Sequence, residues 1–222
     1  MLGQYTYLAL MIGTIIVPFL MSFEKKVHFI SNLISFIKSN AITLTVFIIW
    51  DVIFTAYGVW SFNPDYHIGF DILGLPLEEW MFFICVPYAC MFIYEIVNKL
   101  FGKFHFKAGY YFSITLISLL IMILILFENG IYTQITFILL TLLLLLSMKR
   151  DWISNFHLSY LICLIPFAIV NGILTYLPVV LYNDNENLSI RIVSIPFEDI
   201  FYGMAMVLMN IYLFELFKKK DD

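Results

Sequence analysis

The chain has 222 residues, of which 62% are hydrophobic and 13% are charged, and its formal net charge is −4. Soluble proteins average roughly 45–50% apolar and about 25% charged residues, so this composition excludes a soluble domain. A small negative net charge gives no reason to expect a nucleic-acid partner.

Apolar stretches follow one another along the whole chain, and each is long enough to cross the ~30 Å hydrocarbon core of a bilayer. They predict an all-α, multi-pass integral protein of the cell membrane. The first stretch lacks a basic leading segment and a small-residue cleavage site, which favours a retained helix over a signal peptide. The seven predicted spans cover residues 4–23, 40–61, 78–97, 110–127, 131–148, 156–181 and 197–217.

The basic residues fall almost entirely on one side of this seven-span arrangement. Arg191 is the exception among the twelve lysines and arginines. Because cytoplasmic loops are enriched in such residues, we expect the N-terminus outside and the C-terminus in the cytoplasm. The other eleven are Lys25, Lys26, Lys38, Lys99, Lys103, Lys107, Lys149, Arg150, Lys218, Lys219 and Lys220.

An internal repeat appears when the sequence is shifted by 120 residues against itself. The segment from Pro76 to Glu79 then aligns with the segment from Pro196 to Asp199, and Asp51 aligns with Asn171. Spans one to three and five to seven form the two repeats, and span four links them. Because one intervening helix restores the direction of the chain, we predict two parallel three-helix repeats related by a pseudo-twofold axis along the membrane normal. Their expected boundaries are 1–108, 109–129 for the linker, and 130–222.

The two acidic pairs, Glu78-Glu79 and Glu198-Asp199, each follow a proline and open a span. Proline and acids are favourable at a helix start for structural reasons alone. Their recurrence in both repeats and on the same side of the membrane favours a functional role instead.

Asp51 is predicted to lie inside span two, where an ionisable residue is expensive and usually serves a function. Its repeat mate Asn171 keeps the polarity without the charge. Carboxyl groups clustered in an apolar cavity disfavour one another's ionisation, so at least one should stay protonated near neutral pH. Such a group can act as a Brønsted acid.

Other polar residues have ordinary structural interpretations. Glu95 and Glu215 each precede a lysine by four residues, a spacing that stabilises a helix by pairing opposite charges. The three cysteines, Cys85, Cys90 and Cys163, lie within predicted spans. Nothing in the sequence has the spacing of metal ligands or of a nucleotide-binding loop, so neither a metal nor another cofactor is expected.

The aromatic content is high, with 23 Phe, 14 Tyr and 4 Trp. Many of these residues are expected in the belts at the membrane surfaces. Others lie on the helices that the acidic pairs open, namely Phe82, Phe83, Phe201 and Tyr202. Aromatic faces beside a proton donor can stabilise a carbocation. Together they indicate proton-initiated chemistry on a polyene or prenyl chain.

Three segments of the first repeat carry a family resemblance: Trp50-Asp51, the run from Trp60 to Pro64, and the run from Leu75 to Glu79 followed by two phenylalanines. They resemble the lycopene cyclase domain, and the resemblance covers nearly the whole chain. That domain occurs as two small subunits in heterodimeric bacterial cyclases and in fused form in the fungal bifunctional phytoene synthase/lycopene cyclase. This chain looks like the fused two-repeat form. In the second copy Asn171 replaces an acid, Asp199 replaces a glutamate, and Trp60 has no counterpart.

The resemblance implies an intramolecular lyase or isomerase that turns the acyclic ψ-end of lycopene into a β-ionone ring without net redox change or cofactor. It implies a carotenoid substrate in the bilayer and possible association with other enzymes of carotenoid biosynthesis. The expected catalytic residues are Asp51, Glu78, Glu79, Glu198 and Asp199. The expected substrate-binding residues are Trp50, Trp60, Phe82, Phe83, Asn171, Phe201 and Tyr202. Both acidic pairs should build one composite site around a single chain end, so the half-cyclised product would have to turn around before its second ring forms.

Alternative functions remain open from the sequence. One is another carotenoid-end enzyme, such as a C50 cyclase, an ε-type cyclase or a hydratase. A small-solute transporter would also fit parallel repeats, although matching broken helices would be expected and Pro87 aligns only with Val207. A retinal-binding protein is rejected because residues 197–217 contain no lysine.

Overall fold

The computed structural model describes residues 3–25, 27–102, 106–127 and 130–221. It confirms the all-α membrane architecture with two three-helix repeats and a linker helix. Six of the helices in the described part are long and apolar enough to span a membrane, and α5, with 17 residues, is shorter. The helices are α1 Thr6–Met21, α2 Leu33–Ala56, α3 Leu77–Phe101, α4 Phe106–Leu126, α5 Ile131–Ser147, α6 Ile153–Tyr176 and α7 Phe197–Asp221.

The second helix of each repeat ends earlier than predicted. The spans expected at 40–61 and 156–181 end at Ala56 and Tyr176, because the chain then turns into a short strand. The strands are β1 Trp60–Phe62 and β4 Val180–Tyr182. In the first repeat the turn passes through Gly58, whose φ of 70° is favourable only for glycine. The apolar residues of these strands had extended the predicted helices.

The pseudo-twofold axis passes through the pairing of these two strands. They run antiparallel, with Ser61 opposite its own repeat mate Leu181. On either side, Trp60 faces Tyr182 and Phe62 faces Val180. These two pairs are equivalent, because Val180 is the repeat mate of Trp60 and Tyr182 is the repeat mate of Phe62. The repeats therefore meet at one end of the bundle through equivalent backbone segments.

The helices of the two repeats interlock below this strand pair. The second helix of each repeat packs on the third helix of the other, as α2 on α7 and α6 on α3. The first helices, α1 and α5, pack on α3 and α7 of their own repeats, and α4 lies against α5 and α6. The space around α3 and α7 is thus enclosed by both repeats.

A short hairpin precedes each of the two central helices. In the first repeat, β2 Asp71–Ile72 pairs with β3 Leu75–Pro76, and α3 begins at the next residue. In the second repeat, β5 Arg191–Ile192 pairs with β6 Ile195–Pro196, and α7 follows. Each proline therefore stands just before its helix, which puts both acidic pairs into a first helical turn.

Polar contacts in the interior fix α2 against α7. The Ser39 hydroxyl donates to the Asn210 side chain at 2.8 Å, and the Asn210 amide donates to Asn40 at 2.7 Å. Asn40 in turn donates to the carbonyl of Phe83 at 3.2 Å. Hydrogen bonds of this kind contribute to packing between membrane helices, where hydrophobic burial gives little preference.

The glutamates at the opposite end of the bundle join the repeats, in a different way from that expected. Glu95 is buried and pairs with Lys218 of the other repeat at 3.1 Å, whereas the Lys99 ammonium donates to the carbonyl of Val27. Glu215 accepts a hydrogen bond from Tyr94 at 2.9 Å. The side chain of its expected partner, Lys219, lies outside the described residues. Glu95 therefore stabilises the interface between repeats and not only its own helix.

Candidate active site between the repeats

A cavity lies beneath the strand pair, at the end of the bundle where α3 and α7 begin. Three carboxyl groups reach it from both repeats: Asp51 from α2, Glu79 from α3 and Asp199 from α7. The rest of its wall is largely apolar and aromatic. Its other lining residues are Tyr7, Trp60, Phe62, Phe82, Val86, Tyr132, Phe167, Asn171, Leu174, Val180, Tyr182, Tyr202, Gly203 and Met206.

Asp199 has a full set of hydrogen-bond donors. Tyr132 donates to its Oδ1 at 2.7 Å, and Asn171 and Tyr182 donate to its Oδ2 at 2.7 Å and 2.9 Å. Hydrogen bonds to a carboxylate favour its ionised form and fix its orientation. These three donors at this corner of the cavity therefore hold the Asp199 carboxyl group in one position.

Tyr182 reaches this corner from β4, outside the helices. Its burial, and after that the nearby charge of Asp199, raises the pKa of the Tyr182 phenol well above its usual value. The phenol consequently keeps its proton and remains a donor throughout the physiological range.

The first repeat surrounds its two acids with fewer donors. Glu79 accepts a hydrogen bond from the Tyr7 hydroxyl. Asp51 Oδ1 accepts one from Trp60 Nε1 at 2.5 Å and a long one from Thr55 at 3.4 Å. The other oxygen of Asp51 is buried and has no partner among the described residues. Two acids with incomplete hydrogen bonding therefore face one that is fully bonded.

The tyrosines on Glu79 and Asp199 are equivalent residues that the sequence analysis missed. Tyr7 and Tyr132 hold corresponding positions on α1 and α5, but their separation is 125 residues and not 120. The link from the first to the second helix is longer in the first repeat, between Met21 and Leu33, than in the second. An alignment with a gap in that link would have paired the two tyrosines.

The first acid of each pair lies apart from the cavity lining. Glu78 accepts a hydrogen bond from the backbone N–H of Ile68 at 2.9 Å, and Glu198 accepts one from the N–H of Leu188 at 2.7 Å. These are again repeat mates. Both glutamates are fully buried, and each fastens the segment before its hairpin to the helix start. Their positions fit the structural role of an acid in a first helical turn.

The predicted aromatic residues divide into two groups. Trp60, Phe82 and Tyr202 line the cavity. The others pack behind it, with Trp50 against Tyr202 at 4.9 Å between ring centres, Phe83 against Phe47 at 6.3 Å, and Phe201 against Phe137 at 5.0 Å. The first group could stabilise positive charge in the cavity. Of the second group, Trp50 supports Tyr202 and Phe83 supports Phe82, whereas Phe201 packs on Phe137 and Phe197.

The acids surround the cavity without gathering at a single point. Within the part of the chain that the structure describes, no three His, Cys, Asp or Glu side chains converge closely enough to hold a metal ion. The three carboxyl groups instead share the cavity wall with apolar and aromatic side chains. That arrangement suits a proton donor and a proton acceptor acting on the same hydrocarbon end.

The family model for lycopene cyclase matches residues 4–97 and 129–217 of this chain. The chain belongs to the lycopene cyclase family. The two matched segments flank α4, and their starting and ending residues differ by 125 and 120 positions, in agreement with the two offsets seen in the structure. The family resemblance of the first repeat's motifs is thereby confirmed.

A bifunctional lycopene cyclase/phytoene synthase from Neurospora crassa is 32% identical to the chain over 73 residues. The match covers 32% of this chain and 12% of the fungal protein, so it spans only a small part of that relative. No solved structure matches the chain.

Proposed function

We propose that this protein is a membrane-bound lycopene cyclase that converts the acyclic ψ-end of lycopene into a β-ionone ring. The observation that carries the proposal is the cavity in which Asp51, Glu79 and Asp199 from the two repeats share a wall with aromatic rings. Family membership agrees with this chemistry. The reaction is an isomerisation, since the proton that is added is matched by a proton that is lost.

The proton comes from the first-repeat corner. Asp51 and Glu79 are both buried and have few donors between them, so the pair is most stable when it holds at least one proton. A carboxyl O–H of this pair protonates C2 of the terminal double bond. The double bond breaks, and the positive charge forms on C1.

Ring closure follows within the same cavity. The C5–C6 double bond supplies its electron pair to C1, a bond forms between C1 and C6, and the charge moves to C5. The faces of Trp60, Phe82 and Tyr202 stabilise this cation. Asp199, held ready by its three donors, removes the proton from C6, and the ring double bond forms. The proton must then return to the first-repeat pair before the next turnover.

Glu78 and Glu198 take a positioning role in this scheme. Each holds the backbone that leads into its hairpin, and the hairpin fixes the start of the helix that carries the reactive acid. Of the five acids expected from sequence to be catalytic, we therefore assign proton transfer to Asp51, Glu79 and Asp199.

The orientation of the protein follows from its charges. We propose that the end bearing the cavity faces outward and that the lysine-rich loops lie in the cytoplasm, because positive residues are retained there. The repeats, with proposed boundaries 1–108 and 130–222, then both present their acids on the outer side. Lycopene would arrive through the bilayer from the enzymes that make it, with which the cyclase could associate.

Expression in a lycopene-accumulating bacterial host tests the function. The lycopene pool should decline as one-ringed and two-ringed β-carotenoids appear in the pigment chromatogram, and an Asp199→Asn variant inserted at equal level should leave it unchanged. An unchanged pool with the unaltered, membrane-inserted protein would overturn the proposal. Formation of ε-type rings would change only the assigned deprotonation step, because those rings arise when the proton is lost from C4 and not from C6.

A further inference from the structure

A second chamber continues from the acid cavity into the membrane interior. It shares Phe82, Val86, Phe167, Asn171 and Gly203 with the first cavity. Asn171 is its polar connection to the acids, and the remaining wall is mostly apolar. Its other lining residues are Thr14, Ala89, Cys90, Tyr160, Cys163, Pro166, Val170 and Val207.

The chamber exists on one side of the pseudo-twofold axis because small residues line it there. Gly203, Val170 and Ala89 are repeat mates of Phe83, Trp50 and Met209. On the opposite side of the axis, Trp50 and Phe83 pack with Phe47 and Tyr202 in an aromatic cluster, and Met209 packs against the same hydrophobic core. Even a methyl group on Gly203 would lie 3.2 Å from the Tyr160 hydroxyl. The repeats are thus equivalent in backbone but not in free space.

The chamber has the direction and depth of a tail-binding channel. From Glu79 to Cys90 the helix advances eleven residues, or about 16 Å at 1.5 Å per residue. It runs between α1, α3, α6 and α7, with Thr14 of α1 and Val170 of α6 on its wall. Because α1 packs mainly on α3 and contacts α6 only sparsely, this seam is where the channel borders the surrounding lipid.

We propose that this channel binds the polyene tail of the substrate while the reacting end lies among the three carboxyl groups. The inference rests on the proposed function and adds the path of the tail. Continuity with the acid cavity identifies the occupant, since the reacting end of the substrate carries a long apolar chain and this largely apolar chamber shares five lining residues with the acid cavity. One chain is therefore held by one end at a time, and two rings require two binding events.

Filling the channel tests the proposal in the lycopene-producing host. Val170→Trp introduces the residue that its mate position carries, and it should lower ring formation roughly tenfold or more by excluding the tail. The matched control is Ile169→Trp on the same helix, whose side chain is 59% exposed toward the lipid. That variant should stay within about twofold of the unaltered protein. Equal ring formation by the two variants would overturn the tail channel while leaving the cyclase function intact.

A binding measurement keeps the proposal testable if Val170→Trp fails to fold. In liposomes, the catalytically silent Asp199→Asn protein is treated with N-ethylmaleimide, with and without lycopene in the lipid. Lycopene should slow alkylation of Cys90, which lines the channel, and should leave Cys85, which does not, unaffected. Alkylation of Cys90 at the same rate with and without lycopene would overturn the assignment. Failure of the unaltered protein to form rings would instead reject the proposed function.

Discussion

The two repeats hold equivalent acids in unequal surroundings. In the second repeat Asp199 receives three hydrogen bonds, whereas in the first Glu79 receives one and Asp51 keeps one oxygen without a partner among the described residues. The difference arises where the repeats diverge, because Asn171 stands for Asp51 and Tyr182 for Phe62. A duplicated scaffold has thus produced two corners that differ in hydrogen bonding, and the proposed division between proton donor and proton acceptor rests on that difference.

The same repeats agree closely where an acid has a structural task. Glu78 and Glu198 bind equivalent backbone N–H groups at similar distances, 2.9 Å and 2.7 Å. Glu198 also accepts a hydrogen bond from the Thr133 hydroxyl at 2.6 Å, so the two repeats share the backbone contact and differ in this side-chain contact. The following variants test that division.

Removing the reactive carboxyls should have the largest effect. Asp199→Asn and Glu79→Gln should each lower ring formation by roughly 10²–10⁴-fold, the contribution of a positioned acid or base. Pigment chromatography of membranes with matched protein levels measures it. The control is Asp65→Asn, an exposed position whose repeat mate is already Asn185, and it should leave ring formation unchanged. Retention of more than half the activity by Asp199→Asn would contradict the assigned base.

Asp51→Asn makes the first repeat copy the second at this position. We expect a loss of about 10²-fold, because Glu79 alone would then have to hold the proton. The same chromatographic assay applies. A variant as active as the unaltered protein would assign the proton to Glu79 without help from Asp51.

Tyr182→Phe makes the second repeat copy Phe62 and removes one of the three donors to Asp199. The expected loss is about tenfold, the effect of one hydrogen bond to a charged group. Since the pKa of Tyr182 is raised, its phenol stays protonated as the pH rises to 10, and its ionisation should cause no alkaline loss of activity in liposome assays. A fall in activity of the unaltered protein between pH 8 and 10 that disappears in Tyr182→Phe would contradict this.

Glu78→Gln and Glu198→Gln should have smaller effects than the changes at their neighbours. Glutamine keeps an acceptor oxygen for the N–H of Ile68 or Leu188, so ring formation should fall only about threefold. Comparison with Glu79→Gln in one assay series separates the two roles. If these variants lost as much activity as the variants of Glu79 and Asp199, both glutamates would have to take part in proton transfer.

The smallest effect is expected at the hairpin turns. The first turn uses Leu73 and Gly74 at positive φ, whereas the second has Val193 at φ 61°, where a β-branched side chain is strained. Because Val193 is 92% exposed, Val193→Gly should add about 1 kcal/mol of stability with unchanged activity. Thermal unfolding in detergent measures it. A lowered unfolding temperature would show that the loop tolerates valine without strain.

Much of the fold could be predicted because its signals are long or repeated. Seven apolar runs define the helices, and an ungapped match near Pro76 and Pro196 locates the acidic pairs. The strands β1 and β4 could not be separated from the helices before them, since three apolar residues have no period of their own. Tyr7 and Tyr132 escaped the alignment because a difference in one link changes the offset of the first helices. Which acid of each pair faces the cavity depends on the rotation of the helix and on loop contacts. The sequence of two adjacent acids does not reveal that orientation.

The strand pair on the pseudo-twofold axis also has a bearing on which products can form. Trp60, Phe62, Val180 and Tyr182 form the roof of the cavity on these strands. In the proposed reaction a carbocation beneath them would meet mainly apolar and aromatic side chains, besides the three carboxyl groups. If the roof opened during turnover, water would capture the charge on C1 and leave a tertiary alcohol in place of a ring. In the proposed cyclase, these two strands of three residues each would therefore favour ring closure over hydration of the chain.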